Sequence, residues 1–303
     1  MAEHRARPVP IEPEARPGAP GLRTLLATSI VVAPGVADAL TARLVERAGF
    51  GAAYMSGFAV AASAGKPDVG LLSFKEVLDR AAQIVEVVGI PLIVDADTGY
   101  GGPLNVVRTV REFERIGVSC IQIEDQEFPK KCGVLDGKRL VAAQDMVGRV
   151  KAAVDARRSR EFVVIARTDA IDVEGIEAAI DRGCAYGEAG ADLLMFSGPR
   201  GEGEVRRIVG VSPAPIVYIN AEGIASRPLF SVPELQDMGI KVAVFPLTLV
   251  LSAARAGIEA LATLRRTGST SSLTDTLLSW DDFNGLVGLP AAHAGEQRYA
   301  SGL

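Results

Sequence analysis

Residues 86–97 read EVVGIPLIVDAD: a helical segment stops at Gly89, a short Val/Ile/Leu strand follows almost at once, and two acids close it. A helix ending at glycine just before an apolar strand is the punctuation of a β/α unit. The same unit recurs as ERAGFGAAYMSG (46–57), ERIGVSCIQIED (114–125), GEAGADLLMFS (187–197) and QDMGIKVAVFP (236–246). IVVAPG (30–35), FVVIARTDA (162–170) and PIVYIN (215–220) bring the strand candidates to eight. Helix-length segments separate them, near 36–49, 73–88, 103–117, 142–158, 174–189, 202–210, 231–239 and 248–266. Eight such units predict an α/β fold, a (β/α)8 TIM barrel, rather than an open sheet.

The barrel is expected over 21–270. Residues 1–20, rich in Pro, Ala, Arg and Glu without an apolar period, read as a disordered extension. Residues 271–303 carry Trp280, Phe283, Leu286, Val287 and Leu289 beyond the eighth helix. An apolar tail outside a closed barrel needs a surface to cover, either its own barrel or a neighbouring subunit.

Composition narrows the chemistry. The chain is 48% apolar but 5% aromatic, with a formal net charge of -5. It therefore offers neither stacking platforms nor basic tracts to nucleic acid, and no attraction to anionic membranes. No apolar run is long enough to span a membrane, and no secretory h-region is present, so the expected compartment is the reducing cytoplasm. Cys120, Cys132 and Cys184 are an odd number at unrelated spacings, which argues against a disulfide framework or structural zinc. With only His4 and His293, carboxylates, Cys, Tyr, Lys and Arg must carry any catalysis.

Catalytic groups in a barrel sit where strands end and loops begin. Those positions hold Tyr54, Ser56 and Gly57, then Asp95 and Asp97, Glu124 and Asp125, Arg167 and Asp169, Ser197 and Asn220. Asp95 and Asp97, two apart, are expected on one face, with Glu124 arriving from the next strand. Converging carboxylates call for a hard cation, Mg2+ with Mn2+ as the alternative, unless they merely cap helices or pair with Arg167 and lysines. Ser56 with the Gly57 amide is either an anion nest or an ordinary loop. Cys132 lies in the loop FPKKCGV (128–134), where Lys130 and Lys131 are expected to lower its pKa. Cys120 and Cys184 read as packing residues.

The chain resembles the isocitrate lyase and phosphoenolpyruvate mutase superfamily from about residue 22 to its end. The resemblance rests on YMSG (54–57), Pro67-Asp68, VDADTGYGG (94–102), IEDQ (123–126), KKCG (130–133), ARTDA (166–170) and AGAD (189–192) in the same order. It implies a C-terminal helix exchanged between subunits, usually in a homo-tetramer built as a dimer of dimers. It also implies Mg2+ held partly through water by Asp95, Asp97 and Glu124, with Asp68 nearby. A small carboxylic acid substrate would lie on Ser56, Gly57, Gly133, Arg167 and Asn220. The shared chemistry is formation of a metal-stabilised, pyruvate-like enolate.

The KKCG loop and Tyr54 match the lyase branch, exemplified by 2-methylisocitrate and dimethylmalate lyases. Cys132 would then protonate the departing fragment, with Lys131, Arg167 and Tyr54 around it. The implied activity is carbon–carbon cleavage of a 2-hydroxy di- or tricarboxylic acid. Two positions depart from that branch: Val134 replaces the usual His, and Ser197 stands where the lyases carry Glu and the mutase branch carries Ser. Val134 suggests an alkyl-bearing substrate. The alternatives are an oxaloacetate decarboxylase, a phosphonopyruvate hydrolase or phosphonomutase, and a non-catalytic ligand-binding homologue.

Overall fold

The computed structural model describes residues 20–300; the expected N-terminal extension, with His4, lies outside them except for Pro20. Every strand candidate is a strand: β1 Val31–Val36, β2 Ala53–Met55, β3 Leu92–Asp95, β4 Cys120–Glu124, β5 Val163–Thr168, β6 Leu193–Phe196, β7 Ile216–Ile219 and β8 Val242–Phe245. All pair in parallel in chain order, and β8 closes on β1. Gly35 is required at that seam, because a Cβ there would lie 2.3 Å from the Pro246 carbonyl oxygen.

Alternation along the strands separates two packed layers. Val31, Ala33, Tyr54, Ile93, Cys120, Ile165, Met195, Val217 and Val244 fill the interior. Their neighbours Val94, Ile121, Ile123, Val164 and Leu194 face outward into the helix layer. The helix Phe74–Val85 shows how that layer is built. Ser73 and Glu76 form a reciprocal capping box, and Val77, Leu78, Ala81 and Ile84 fall on one buried face. Burial of Val77, Leu78 and Ile84 stabilises by about 1.5–3 kcal/mol each.

Three helices lie outside the segments expected from the sequence, the shortest being Ala170–Val173 after β5. Leu22–Thr28 sends Leu22 into the interior cluster with Leu25 and Leu26 behind it. Arg23 ties this helix to the Arg160 carbonyl and, at 2.7 Å, to Asp192, so it closes the barrel floor at the N-terminal strand ends. The second, Gly57–Ser63, follows β2 directly.

The described residues divide into two compact units, one up to Ala254 and one from Arg255 onward. The break falls inside the helix Thr248–Thr267, earlier than the sequence-based boundary at 270. In the second unit the helices Trp280–Leu286 and Leu289–Ala300 bury Leu286, while Ile258, Leu261 and Trp280 are exposed.

Candidate active site

The inward positions at the strand tops converge as the alternation predicts. Asp95 on β3 stands opposite Gln122 on β4, and Glu124 opposite Arg167 on β5. Tyr54 donates its hydroxyl to Gln122 Oε1 at 2.9 Å, and Gln122 Nε2 donates to Asp95 Oδ1 at 3.2 Å. Burial holds the Tyr54 phenol far above its usual pKa, so it acts as a neutral donor. Arg167 forks onto Asp169 at 3.0 and 2.8 Å and reaches Glu124 at 3.4 Å.

Asp97 arrives differently from the strand-face expectation. β3 ends at Asp95, and Asp97 has φ +49, so a left-handed turn brings its carboxylate back to the site. Its amide donates to Asp95 Oδ1 at 3.1 Å. Gly57 lies against both acids, for a Cβ there would be 3.0 Å from Asp95 Oδ2 and 3.5 Å from Asp97 Oδ1.

Of the two lysines expected beside Cys132, Lys130 enters the acid cluster. Its ammonium, 3% exposed, sits 2.6 Å from Asp68 and 2.7 Å from Asp97. Lys131 lines the cavity but gives its ammonium to the Asp136 carbonyl at 3.1 Å, and its backbone is held by Gln126. Adjacent lysines in an irregular loop carry no period, so the sequence does not tell them apart.

Among the described residues, no three acid, His or Cys side chains form a ready-made metal cage. The donor chemistry nevertheless fits a hard divalent cation. Five largely buried carboxylates, Asp68, Asp95, Asp97, Glu124 and Asp169, face two buried cations, Lys130 and Arg167. Glu124 Oε1 is buried without a hydrogen-bond partner. Burial raises the Asp97 carboxyl to about 6 and the Glu124 carboxyl well above its usual range. Both shifts mark negative charge short of compensation.

The Cys132 loop closes over this floor. The Cys132 amide donates to the Asp68 carbonyl at 3.0 Å. Gly133 rests directly on Arg167: a Cβ would lie 2.3 Å from Arg167 Nη2 and 2.7 Å from Ser197 Oγ. The expectation of a lysine-activated thiolate is corrected here, since burial first, and then the Asp68 charge, push the Cys132 thiol up to about 11. The charges of Lys130 and Arg167 pull the other way but do not outweigh burial, and Lys131 gives its ammonium to a carbonyl instead. The thiol is therefore a protonated donor at neutral pH.

Ser56 is the N-cap of Gly57–Ser63, its buried hydroxyl accepting from the Ala59 amide at 3.3 Å. Asn220 has a different task from the expected substrate contact. Its amide donates to the Phe230 carbonyl at 2.8 Å and accepts from the Phe230 amide at 3.0 Å, clamping the loop after β7. Below Asp169, Asp125 accepts from Thr168, Tyr186 and the Asp169 amide, a supporting role. The cavity of about 200 Å³ is lined by the charged Asp68, Lys130 and Arg167 and by the apolar Val134, Ile224 and Leu251, among others. Gln122 was missed by the reading of strand ends, although alternation through SCIQIED places it on the Glu124 face.

Residues 22–265 match the phosphoenolpyruvate phosphomutase family. The chain is 44% identical over 283 residues to 2,3-dimethylmalate lyase of Eubacterium barkeri, covering 93% of this chain and 98% of the relative. A solved oxaloacetate acetylhydrolase bound to 3,3-difluorooxalacetate superposes with a TM-score of 0.87 at 35% identity, covering 93% and 97% of the two chains. A phosphonopyruvate hydrolase solved with oxalate and Mg2+ gives 0.84 at 33% identity, covering 92% and 98%. With its closed barrel and top-face acid cluster, the chain belongs to the phosphoenolpyruvate phosphomutase family and is an enzyme of the isocitrate lyase/phosphoenolpyruvate mutase superfamily.

Proposed function

We propose that the protein is a Mg2+-dependent carbon–carbon lyase that cleaves a 2-hydroxy dicarboxylic acid bearing an alkyl substituent. The observation that carries this reading is the half-buried Cys132 thiol, held protonated in the loop whose Gly133 rests on Arg167. An oxygen-rich substrate head suits the lining residues Asp68, Lys130 and Arg167, and an alkyl arm suits the lining residues Val134 and Leu251. Similarity to 2,3-dimethylmalate lyase points the same way.

Asp95, Asp97 and Glu124, with Asp68 behind Lys130, would hold Mg2+ or Mn2+. The ion would supply a positive field for oxygen charge developing on the substrate. Arg167 and the Ser56–Gly57 turn anchor a substrate carboxylate, while Tyr54 and Gln122 fix Asp95. The 2-hydroxyl proton passes to the acid cluster, where Glu124 Oε1 has no other hydrogen-bond partner. The 2-oxo acid forms as the C2–C3 bond breaks, and its electron pair stays on C3 of the departing acid as an enolate. Cys132 Sγ–H then protonates that carbon, which balances the step.

We extend the proposal to a cytoplasmic homo-tetramer with the C-terminal segment exchanged between subunits. It is supported by the exposed Ile258, Leu261 and Trp280, and by an apolar groove of about 340 Å³ beside Leu44, Phe50 and Phe245. Among the described residues no helix is long and apolar enough to cross a membrane.

Ser197, small and packed beneath Gly133, favours a second reading: oxaloacetate or phosphonopyruvate chemistry on the same floor. Incubation with alkylmalates, 2-methylisocitrate, isocitrate, oxaloacetate and phosphonopyruvate, with product identification and an EDTA control, separates the two. The lyase reading expects EDTA-sensitive release of a 2-oxo acid plus a second acid from an alkylmalate. Turnover of oxaloacetate or phosphonopyruvate alone would replace it with the second.

A further inference from the structure

Four loops meet at the Gly133 carbonyl, beside the cavity. Lys138, its side chain 2% exposed, donates to that carbonyl and lies 2.9 Å from Asp172 Oδ2. Arg227 reaches the same carbonyl through Nη2 at 3.4 Å and gives Nη1 to the Gly198 carbonyl at 3.2 Å. It also pairs with both oxygens of Asp172. Lys138 belongs to the loop after β4, Asp172 to the helix Ala170–Val173 after β5, Gly198 to the loop after β6 and Arg227 to the loop after β7. Gly198 has φ +95, and a Cβ there would lie 2.7 Å from Arg227 Nη1, so glycine permits the close approach.

Two cations directed at one carbonyl repel each other unless an anion lies between them. Asp172 is that anion. Burial opposes its charge, but hydrogen bonds from Arg227 and Lys138 outweigh burial and hold its carboxyl below the usual range. Its side chain does not line the cavity. Its partners Lys138 and Arg227 reach the Gly133 carbonyl, and Arg227 lines the cavity.

We propose that Asp172 is a positioning residue: by pairing Lys138 with Arg227 it latches the Gly133 carbonyl and holds the Cys132 loop closed over Arg167. The latch joins the loops after four successive strands. It holds whichever acid the enzyme cleaves.

The test is the rate of Cys132 alkylation by iodoacetamide in the full chain, resolved by peptide mapping, with Cys184 as an internal clock. Asp172→Ala is expected to raise Cys132 labelling at least about tenfold, as loss of charge-assisted hydrogen bonds shifts the loop toward open forms. Cys184 labelling should keep its wild-type rate, and Asp172→Glu should recover most of the protection. If Asp172→Ala does not fold, Lys138→Met removes the same latch and carries the same expectation. An unchanged Cys132 rate in a folded variant would overturn the proposal. So would equal acceleration at Cys184, which would mean general loosening.

Discussion

Gly133→Ala isolates loop closure from every other function of the site. The added methyl would meet Arg167 Nη2 at 2.3 Å, Ser197 Oγ at 2.7 Å and Asp169 Oδ1 at 3.2 Å. Ordinary contact begins near 3.4 Å, so one partner must retreat by about an ångström. Arg167 does not, because its guanidinium is forked onto Asp169 and paired with Glu124 in a fully buried setting. The loop therefore yields. Overpacking of this kind costs about 1–3 kcal/mol. Because only the closed state bears the cost, the closed population and the catalytic rate should fall roughly 5- to 150-fold at tenfold per 1.36 kcal/mol. Steady-state kinetics on whichever acid is cleaved, with Mg2+ affinity by calorimetry and thermal unfolding as controls, tests this. The expected pattern is a lowered kcat, unchanged Mg2+ affinity and a nearly unchanged midpoint. A fully active variant would refute the placement of Gly133 on Arg167, and a large drop in midpoint would show that the loop is part of the fold rather than a cover.

Lys130→Met strips the ammonium that lies 2.6 Å from Asp68 and 2.7 Å from Asp97. Urea unfolding in EDTA should show a loss of about 3–5 kcal/mol, as for breaking a buried ion pair from one side. Saturating Mg2+ should recover part of it, whereas an equal loss with and without Mg2+ would disprove the shared charge balance. For Cys132, a folded pKa raised to about 11 means that alkylation in the native protein keeps accelerating through pH 10, whereas an unfolded thiol levels off near 9. The sign follows: the folded state favours the protonated thiol, so this group's contribution to stability is complete below about pH 9 and is lost toward 11. A native labelling plateau below pH 9 would contradict the burial that supports the donor role.

Much of the fold and of the acid cluster is legible in the sequence, and the reasons are local. A glycine stop followed by a short apolar strand marks each β/α unit, and a strict period of two sends Tyr54, Asp95, Glu124 and Arg167 inward together. The same rule misplaced Asp97, because the strand stops at Asp95 and the chain turns left-handed there. In the loop after β4 no period exists, so Lys130 and Lys131 were indistinguishable until the fold turned one inward. Counting nearby lysines also predicted the wrong direction for Cys132, since burial and commitment of those charges elsewhere are properties of the folded site. The latch had no sequence signal at all: Lys138 and Arg227 lie 34 and 55 residues from Asp172.

The helix Leu22–Thr28 has a consequence for traffic. With Leu22 filling the interior and Arg23 tied to the strand starts, the barrel is stoppered at its base. Molecules exchange through the mouth that the Cys132 loop covers. Entry and exit then share one gate, so a reaction that makes two products from one substrate must queue them past the thiol. For the lyase proposed above, the gate would open once in every cycle, and departure rather than bond breaking can set its pace.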